Sequence, residues 1–446
     1  MTAGAHEVRT VSGGRALHGS TRVPGDKSIS HRALLLAAVA EGTSTITGLS
    51  TGEDVVCTRR AIELLGAEVI GEGTEVTVRG GRSRLRAPDH PIDLGNSGTG
   101  MRLLAGLVAT VPGVTRLTGD ASLRTRPMDR VAVPLALMGA QVEGMGEHCL
   151  PPIAVSGGLL VGIDYTPPMA SAQVKGAILL AGLDADGETV VREAVATRTH
   201  TEDMLAEAGA TIEVETWGNG RIIRLRRSAL VPLAHTIPGD PSQAAFWVVA
   251  GAVVPASRIT IDDVHLGPER IGFLEVLCRM GADLVVDATQ DGHSGSITVG
   301  YSALVGTTVE AGEIPSLDEV PILAVAAMAA AGSTRFRDVG ELRVKESDRL
   351  EGTARMVRAF GGRADIEGED LVVTGGAALT HGSIDAQGDH RMAMAAAIAA
   401  AACPDGTGGT GGTGGTGGTV ITGWESVATS YPDFADTLDK LAGGPQ

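Results

Sequence analysis

The chain of 446 residues repeats one pattern along most of its length. An apolar run ends at Gly-Ala or Gly-Gly and is followed by a short β-type segment, at intervals of about 70 to 80 residues. The copies lie at 65–69, 138–142, 208–212, 280–284 and 360–362. A glycine after an apolar helical run is the usual end of a helix. The chain must therefore build its fold from copies of one unit.

A second repeated element is a polar loop that opens a long run rich in Ala and Leu. It occurs six times, at 24–28, 95–99, 171–175, 238–242, 315–319 and 388–391. The first and fourth copies are nearly alike, with Val-Pro-Gly-Asp at 23–26 and Ile-Pro-Gly-Asp at 237–240. This likeness favours two halves of three units each.

Between these elements lie segments with the alternation of β-strands. They are 44–47, 114–118, 189–192, 258–262 and 334–337. Each unit is therefore predicted to read β-α-β-α-β-β, which gives an α/β fold with two pseudo-threefold domains. We predict a first domain over 23–236 and a second made of 1–22, with one N-terminal strand, and 237–446. The Thr-Gly-Gly tract at 406–419 is predicted to be a flexible surface loop.

Composition excludes several classes of function. The formal net charge of −17 argues against nucleic-acid and anionic-membrane partners, which need a basic surface. A polar start and the lack of a long apolar run predict a cytoplasmic protein without a membrane span. The four cysteines are far apart and form no C-x-x-C, so we expect buried thiols and no metal site.

Several charged clusters lie at predicted helix starts, where unpaired N–H groups attract anions. Lys27 and Ser28 open a helix and Arg32 follows one turn later. Cations at a helix start oppose the helix dipole by roughly 0.3–1 kcal/mol, and a bound anion would remove that conflict. The alternative is a pair of solvent-exposed cations on a tolerant helix.

A second cluster is formed by Arg124, Arg126 and Arg130. Guanidinium groups so close in sequence repel one another unless a phosphate or carboxylate bridges them. An anion site and three solvated arginines both stay open at this point.

The remaining clusters mix charges of both signs. In the segment 345–349, Glu346 and Arg349 are spaced to pair at i,i+3. Asp318 precedes an apolar run, where a helix cap is the alternative to a catalytic role. The third is Asp-His-Arg at 389–391, where a capping or surface histidine is the alternative.

Taken together, these clusters closely resemble the 5-enolpyruvylshikimate-3-phosphate synthases, from about residue 13 to residue 434. The most specific motifs are Pro-Gly-Asp-Lys-Ser-Ile-Ser-His-Arg at 24–32, Asn-Ser-Gly-Thr-Gly-Met-Arg at 96–102, Arg-Pro-Met at 126–128, Leu-Arg-Val-Lys-Glu-Ser-Asp-Arg at 342–349 and Asp-His-Arg at 389–391.

The resemblance implies an inside-out α/β barrel of the enolpyruvyl transferase type, with helix starts from its two domains facing one cleft. It also implies transfer of the enolpyruvyl group of phosphoenolpyruvate to the 5-hydroxyl of shikimate 3-phosphate. That reaction belongs to the shikimate pathway, which leads through chorismate to the aromatic amino acids. It proceeds by addition and elimination through a tetrahedral intermediate and needs no cofactor or metal. We expect the enzyme to be a monomer.

The resemblance assigns roles residue by residue. Around phosphoenolpyruvate it implies Lys27, Asn96, Gly98, Arg126, Gln173, Arg349 and Arg391. Around shikimate 3-phosphate it implies Lys27, Ser28, Arg32, Ser171, Ala172, Gln173, Thr197, Arg198, Asp318 and Lys345. Our candidate base is Asp318 and our candidate acid is Glu346, with Lys27 able to assist either proton transfer.

Three positions add detail to the resemblance. Gly98 implies sensitivity to glyphosate, which the family binds in the space that a methyl group there would narrow. Thr429 stands where many relatives have a lysine, and Ala172 stands where serine is common, so those two contacts cannot be carried over.

Two rival functions share part of this pattern. The UDP-N-acetylglucosamine enolpyruvyl transferases share the fold and the donor, but their catalytic loop typically carries a cysteine, which residues 120–130 lack here. A noncatalytic anion-binding scaffold would need neither Asp318 nor Glu346.

Overall fold

The computed structural model describes residues 7–405 and 417–443. The chain divides into two compact units. The central unit is Gly25–Ile237, and the terminal unit combines Met1–Pro24 with Pro238–Gln446.

The helices follow the repeats. In chain order they are α1 Lys27–Val39, α2 Glu53–Leu65, α3 Gly98–Val108, α4 Asp129–Leu137, α5 Ala172–Gly182, α6 His200–Glu207, α7 Pro241–Val253, α8 Gly272–Arg279, α9 Val320–Ala329, α10 Arg349–Ala359, α11 His390–Ala401 and α12 Phe434–Ala442. Short 3-10 helices cover Arg82–Arg84, Leu123–Thr125, Ala311–Glu313, Gly340–Val344 and Trp424–Thr429.

The strands are short, with most of three to eight residues. In chain order they are β1 Val8–Ser12, β2 His18–Arg22, β3 Gly42–Thr47, β4 Glu68–Ile70, β5 Val76–Gly80, β6 Ile92–Asp93, β7 Gly113–Thr118, β8 Gln141–Met145, β9 Leu150–Gly157, β10 Asp164–Tyr165, β11 Glu188–Glu193, β12 Ile212–Trp217, β13 Gly220–Arg226, β14 Ala234–Thr236, β15 Arg258–His265, β16 Asp283–Ala288, β17 Ser294–Gly300, β18 Thr308–Val309, β19 Ser333–Phe336, β20 Arg363–Glu367, β21 Asp370–Thr374, β22 Ser383–Asp385 and β23 Gly418–Thr422.

In the described residues of the central unit, the strands form three four-stranded sheets, in the orders β14-β3-β5-β4, β6-β7-β9-β8 and β10-β11-β13-β12. The first two strands of each sheet run parallel and the others antiparallel. A helix links β6 to β7 and β10 to β11, as parallel neighbours require. The predicted β-α-β-α-β-β order is confirmed for those two repeats. The first repeat takes its parallel strand from β14, at the end of the unit.

The described residues of the terminal unit form the sheets β16-β17-β15-β2, β18-β19-β21-β20 and the three-stranded β1-β23-β22. The N-terminal segment supplies two strands, not the single strand predicted: β2 lies parallel to β15 and β1 antiparallel to β23. The last sheet therefore departs from the pattern of the other repeats.

Glycine ends the outer helices, as the sequence predicted. After α2, α4, α6, α8 and α10, the residues Gly66, Gly139, Gly209, Gly281 and Gly361 have φ between 80° and 112°. Residues with a Cβ atom seldom adopt this left-handed conformation, so glycine recurs at the same place in five repeats.

The odd-numbered helices α1 to α11 form the interior of their units. In the central unit α3 packs against α1 and α5, and in the terminal unit α7, α9 and α11 pack against one another. All thirteen residues of α7 are buried. Helices apolar on every side are buried, and small Ala side chains let them approach closely. The sheets surround these helices. The predicted polar loops come directly before the odd-numbered helices in the chain, so each loop lies at a helix start.

The structure also bears on the Thr-Gly-Gly tract, the cysteines and the expected lack of a membrane span. Residues 406–416 of the Thr-Gly-Gly tract lie outside the described residues. Gly418 and Thr419, at its end, belong to β23 and pair with Ser12 and Val11. The predicted loop is therefore wrong for these two residues. Among the cysteines only Cys403 is buried, and Cys278 is exposed. Within the part of the chain that the structure describes, no helix combines the length and apolar character needed to cross a membrane.

Candidate active site

In the central unit, the starts of α1, α3 and α5 are tied together. Their caps are Asp26, Ser97 and Ser171, whose side chains accept backbone N–H groups. His31 on α1 lies 2.8 Å from Thr58 Oγ1 through Nδ1 and 3.4 Å from Ser97 Oγ through Nε2. Burial lowers the pKa of His31 to about 3, with the Lys27 and Arg32 cations adding to the effect. His31 is therefore neutral, and its two ring nitrogens connect α1 to α2 and to the start of α3.

Lys27, at the first position of α1, forms an ion pair with Asp54 on α2, with Nζ 2.9 Å from Oδ2. The Lys27 side chain keeps 16% of its surface exposed. Asp54 supplies the counter-charge that the sequence argument assigned to a bound anion. Sequence reasoning missed Asp54 because no local pattern links it to a residue 27 positions earlier.

Four of the residues assigned to shikimate 3-phosphate meet around Arg32, which is 3% exposed. Its guanidinium donates to Thr201 Oγ1 at 2.7 Å, to the Ser28 carbonyl at 2.8 Å and to the Ala172 carbonyl at 3.4 Å. Arg198 donates to Ser28 Oγ at 3.0 Å. The structure thus brings Ser28, Arg32, Ala172 and Arg198 into one network at the starts of α1 and α5.

The other assigned residues of this unit extend the network. Gln173 donates to Thr99 Oγ1 at 2.8 Å and accepts from Arg102 Nη1 at 2.6 Å. Thr197 donates its hydroxyl to Glu193. Ser171 accepts from Val174 N at 3.4 Å as the α5 cap, so its hydroxyl proton is available to another acceptor.

Of the residues assigned to phosphoenolpyruvate, Asn96, Gly98 and Arg126 meet at the start of α3. Arg126 donates to Asn96 Oδ1 at 2.6 Å and to the Asn96 carbonyl at 3.3 Å. A Cβ atom on Gly98 would lie 3.1 Å from Arg126 Nη1 and 3.3 Å from Arg102 Nη1. The space beside Gly98 is therefore bounded by two guanidinium groups. Sequence reasoning assigned no role to Arg102, although its place one turn after Gly98 matches the argument used for Arg32.

The predicted arginine cluster is not formed as expected. Arg126 is buried, whereas Arg124 and Arg130 are exposed. Arg124 lies in the 3-10 helix Leu123–Thr125 and Arg130 near the start of α4. Their exposure agrees with the solvated alternative for these two arginines, but not for Arg126.

In the terminal unit, Asp318 lies between two arginines. Arg349 Nη1 donates to Asp318 Oδ1 at 2.9 Å, and Arg391 Nη2 lies 3.2 Å from Oδ2. Asp318 is not the cap of α9, whose N-cap Glu319 makes no side-chain cap bond, so the capping interpretation is wrong. Leu317 before it has φ of 57°, a conformation unusual for a residue with a Cβ atom and common at functional sites.

Arg349 is fully buried and contacts three carboxylates. Its Nε and Nη2 lie 2.8 and 3.2 Å from the two Asp389 oxygens, and Nη2 lies 2.6 Å from Glu346 Oε2. Burial by itself lowers the pKa of Arg349, but the three carboxylates outweigh it and raise this pKa above its ordinary value. The predicted i,i+3 pair of Glu346 and Arg349 is confirmed.

The residues around this cluster are also ordered. Lys345 Nζ donates to the Ser316 carbonyl at 3.1 Å. Asp389 caps α11 through Arg391 N at 3.0 Å, and His390 beside it is buried. The capping role predicted as an alternative at 389–391 thus falls to Asp389 and not to His390.

At the two positions that depart from the resemblance, Thr429 is 9% exposed at the end of a 3-10 helix, and Ala172 offers its carbonyl to Arg32. Across residues 7–405 and 417–443, no three His, Cys, Asp or Glu side chains group as metal ligands.

Comparison with known proteins agrees with this geometry. The family model described as EPSP synthase (3-phosphoshikimate 1-carboxyvinyltransferase) matches residues 11–438. A 3-phosphoshikimate 1-carboxyvinyltransferase from Synechococcus sp. (strain JA-3-3Ab) is 42% identical over 447 residues, covering 99% of this chain and 98% of the relative. One from Streptococcus equi subsp. equi (strain 4047) is also 42% identical, covering 96% of this chain and 98% of that relative.

Solved structures match the fold. The structure of EPSP synthase from Acinetobacter baumannii superposes with a TM-score of 0.83 and 38% identity, over 97% of this chain and 98% of that one. The enolpyruvyl transferase NikO from Streptomyces tendae, at 20% identity and a TM-score of 0.77 over 98% of each chain, shares the fold. The chain belongs to the EPSP synthase (3-phosphoshikimate 1-carboxyvinyltransferase) family.

Proposed function

We propose that this chain transfers the enolpyruvyl group of phosphoenolpyruvate to the 5-hydroxyl of shikimate 3-phosphate and releases phosphate. The observation that carries the proposal is the gathering of cations at the helix starts of the central unit, together with a carboxylate held by two arginines in the terminal unit. The reaction needs both features, because it joins two anionic substrates and moves protons between them.

Phosphoenolpyruvate carries a phosphate and a carboxylate, and guanidinium groups bind both through paired hydrogen bonds. We assign Arg126 to this substrate in the central unit, because Asn96 holds its guanidinium in place at 2.6 Å. In the terminal unit we assign Arg349 and Arg391 to phosphoenolpyruvate. The further assignments are Lys27, Asn96, Gly98 and Gln173.

Shikimate 3-phosphate is assigned to the network around Arg32. The Ser171 hydroxyl, Arg198 and the N-terminus of α5 are suited to a phosphate, since each offers N–H or O–H donors. The remaining assignments are Lys27, Ser28, Ala172, Gln173, Thr197, Asp318 and Lys345.

The chemistry begins with Asp318 accepting the proton of the 5-hydroxyl, whose oxygen then bonds to C2 of phosphoenolpyruvate. Glu346 donates a proton to C3, which becomes a methyl group, and a tetrahedral intermediate results. Glu346, now ionised, takes a proton back from that methyl group as phosphate leaves C2, which restores the double bond, and the departing phosphate takes the proton held by Asp318. Lys27 assists the transfers. Glu346 pairs with Arg349 at 2.6 Å, so an anionic substrate that engages Arg349 would free Glu346 for this role.

Phosphate release tests the proposal. The purified protein is given phosphoenolpyruvate with either shikimate 3-phosphate or UDP-N-acetylglucosamine at equal concentrations. Release with the first acceptor alone supports the proposal. Release with the second alone would mean a different acceptor, and no release with either would favour a noncatalytic anion-binding scaffold.

The oligomeric state and the cellular location are also proposals. We propose a monomer, which light scattering of the purified protein tests directly. We propose a cytoplasmic enzyme, in keeping with bacterial relatives named for a biosynthetic activity, and cell fractionation tests this.

A further inference from the structure

Next to the proposed shikimate 3-phosphate site lies a buried charge cluster, which we call the Lys175 triad. Lys175 on α5 lies 2.9 Å from Glu193 Oε2 at the end of β11 and 2.7 Å from Glu202 Oε1 on α6. The three side chains are 0%, 2% and 1% exposed. None of them has a part in the chemistry proposed above.

Burying such a cluster is costly unless its charges balance. One ammonium group cannot neutralise two ionised carboxylates. Burial raises the pKa of Glu202, an effect that Lys175 only partly offsets. Lys175 donates to both carboxylates, at 2.9 Å to Glu193 and 2.7 Å to Glu202.

Glu193 links this buried cluster to the site. Its Oε1 accepts the Thr197 hydroxyl, and the Thr197 N–H lies 3.5 Å from Oε2. On the other side, Arg221 Nη1 donates to the Thr197 carbonyl at 3.0 Å. The loop between β11 and α6 is thereby fixed at Thr197, one residue before Arg198, whose guanidinium donates to Ser28 Oγ at 3.0 Å.

Glu202 has a comparable neighbour. Thr201, the residue before it on α6, accepts Arg32 Nε at 2.7 Å. The triad therefore joins α5 and the loop after β11, which carry assigned residues of this substrate, to α6, whose Thr201 holds the assigned Arg32.

Glu193, although its side chain is almost fully buried, also lines a cavity of about 160 Å³ with Ser171, Val195 and the segment 167–170. A carboxylate without a partner beside a phosphate would repel it, since like charges at short range disfavour binding. Lys175, with Nζ 2.9 Å from Glu193 Oε2, supplies the opposite charge.

From these contacts we infer that Glu193, neutralised by Lys175, is a positioning residue for shikimate 3-phosphate that acts through Thr197. The inference rests on the proposed function, because it assumes that Thr197 and Arg198 hold this substrate. Glu193 itself need not touch the substrate.

Steady-state phosphate release tests the inference with the full chain. We expect Glu193→Ala to raise the KM for shikimate 3-phosphate by about tenfold or more, the effect of losing a hydrogen bond to a charged group. The KM for phosphoenolpyruvate should stay within about twofold, because the hydrogen bonds of Glu193 go to Lys175 and Thr197, neither of which is assigned to that substrate. Glu193→Gln keeps an acceptor for Thr197 and should restore most of the affinity. Glu188→Ala, at the other end of β11 in a surface ion pair with Arg226, is the matched control and should leave both KM values unchanged.

A double-mutant cycle separates positioning from a general loss of folding. In a Thr197→Val background, Glu193→Ala should add no more than about twofold to the KM for shikimate 3-phosphate, because the link is already absent. A full additional effect there would overturn the inference, as would an unchanged KM in Glu193→Ala alone.

Two further outcomes are also decisive. If Glu193→Ala does not fold, Thr197→Val and Thr197→Ser decide the matter: an unchanged KM in Thr197→Val overturns the inference, and a raised KM that Thr197→Ser restores supports it. A wild-type protein without activity on shikimate 3-phosphate would overturn the proposed function itself. If the wild type is active and Glu193→Ala leaves the KM for shikimate 3-phosphate unchanged, only the inference is overturned.

Discussion

Gly98→Ala places a methyl group close to two guanidinium groups, those of Arg102 and of Arg126, which is assigned to phosphoenolpyruvate. The added carbon would lie 3.1 Å from Arg126 Nη1 and 3.3 Å from Arg102 Nη1, against an ordinary contact of 3.4–4 Å. Both neighbours are ends of flexible side chains, so they can retreat by a few tenths of an ångström. That retreat moves Arg126 away from the position that Asn96 gives it.

The expected cost follows from what Arg126 contributes. A hydrogen bond to a charged group is worth about 1.5–3 kcal/mol, and partial loss of one such bond is about tenfold in affinity. We therefore expect the KM for phosphoenolpyruvate to rise about tenfold, while the KM for shikimate 3-phosphate changes little. Inhibition by glyphosate should weaken as well, because the methyl group enters the space that the family resemblance assigns to that inhibitor.

Phosphate release at varied phosphoenolpyruvate, with and without glyphosate, measures both effects. Gly158→Ala is the control, since its added methyl group meets no atom within 4 Å in the described structure and its backbone is not left-handed. The reasoning is refuted if Gly98→Ala folds, stays active and leaves both the KM for phosphoenolpyruvate and glyphosate inhibition as they were.

The other predictions concern the base, the buried arginine and the buried histidine. Asp318→Asn should lower kcat by about 10²–10⁴-fold, the usual contribution of a general base, and a kcat within about threefold of wild type would exclude that role. Arg349→Met removes one partner of a buried cluster, so urea unfolding should show that the free energy of unfolding falls by about 3–5 kcal/mol. A decrease in that free energy below about 1 kcal/mol would contradict the contacts described. His31 has a folded pKa of about 3 against an ordinary 6.5, so the unfolded chain takes up the proton first. The stability from this residue is present above pH 6.5 and is lost as pH falls toward 3, by up to about 1.4 kcal/mol per pH unit. Urea unfolding from pH 7.5 to 4.5 should therefore be steeper in pH for wild type than for His31→Gln, and equal slopes would count against a neutral buried imidazole.

Much of the fold could be read from local patterns. The five helix-ending glycines were predicted because only a residue without a Cβ atom takes their backbone conformation at low cost. The pairing of Glu346 with Arg349 was predicted from the i,i+3 spacing of residues that meet on a helix, and the pair forms although Glu346 precedes α10. These features depend on neighbours in sequence, so the sequence alone was sufficient.

Contacts between distant residues could not be predicted in this way. No pattern of neighbouring residues shows that Asp54 pairs with Lys27 or that Asp389 holds Arg349. Nor does such a pattern show that β2 and β14 complete sheets whose other strands lie elsewhere in the sequence. Sequence spacing also grouped Arg126 with two arginines that prove to be exposed.

The sequence by itself determined the repeat, the helix starts and the residue types gathered there, because these follow from backbone conformation and from hydrophobic periodicity. Only the tertiary structure decided which charges meet. Lys175 shows the reason: its two carboxylate partners lie 18 and 27 residues away, and packing of β11 and α6 against α5 brings them within hydrogen-bond distance. Charge pairing in a buried site depends on distances that the chain acquires only when it folds.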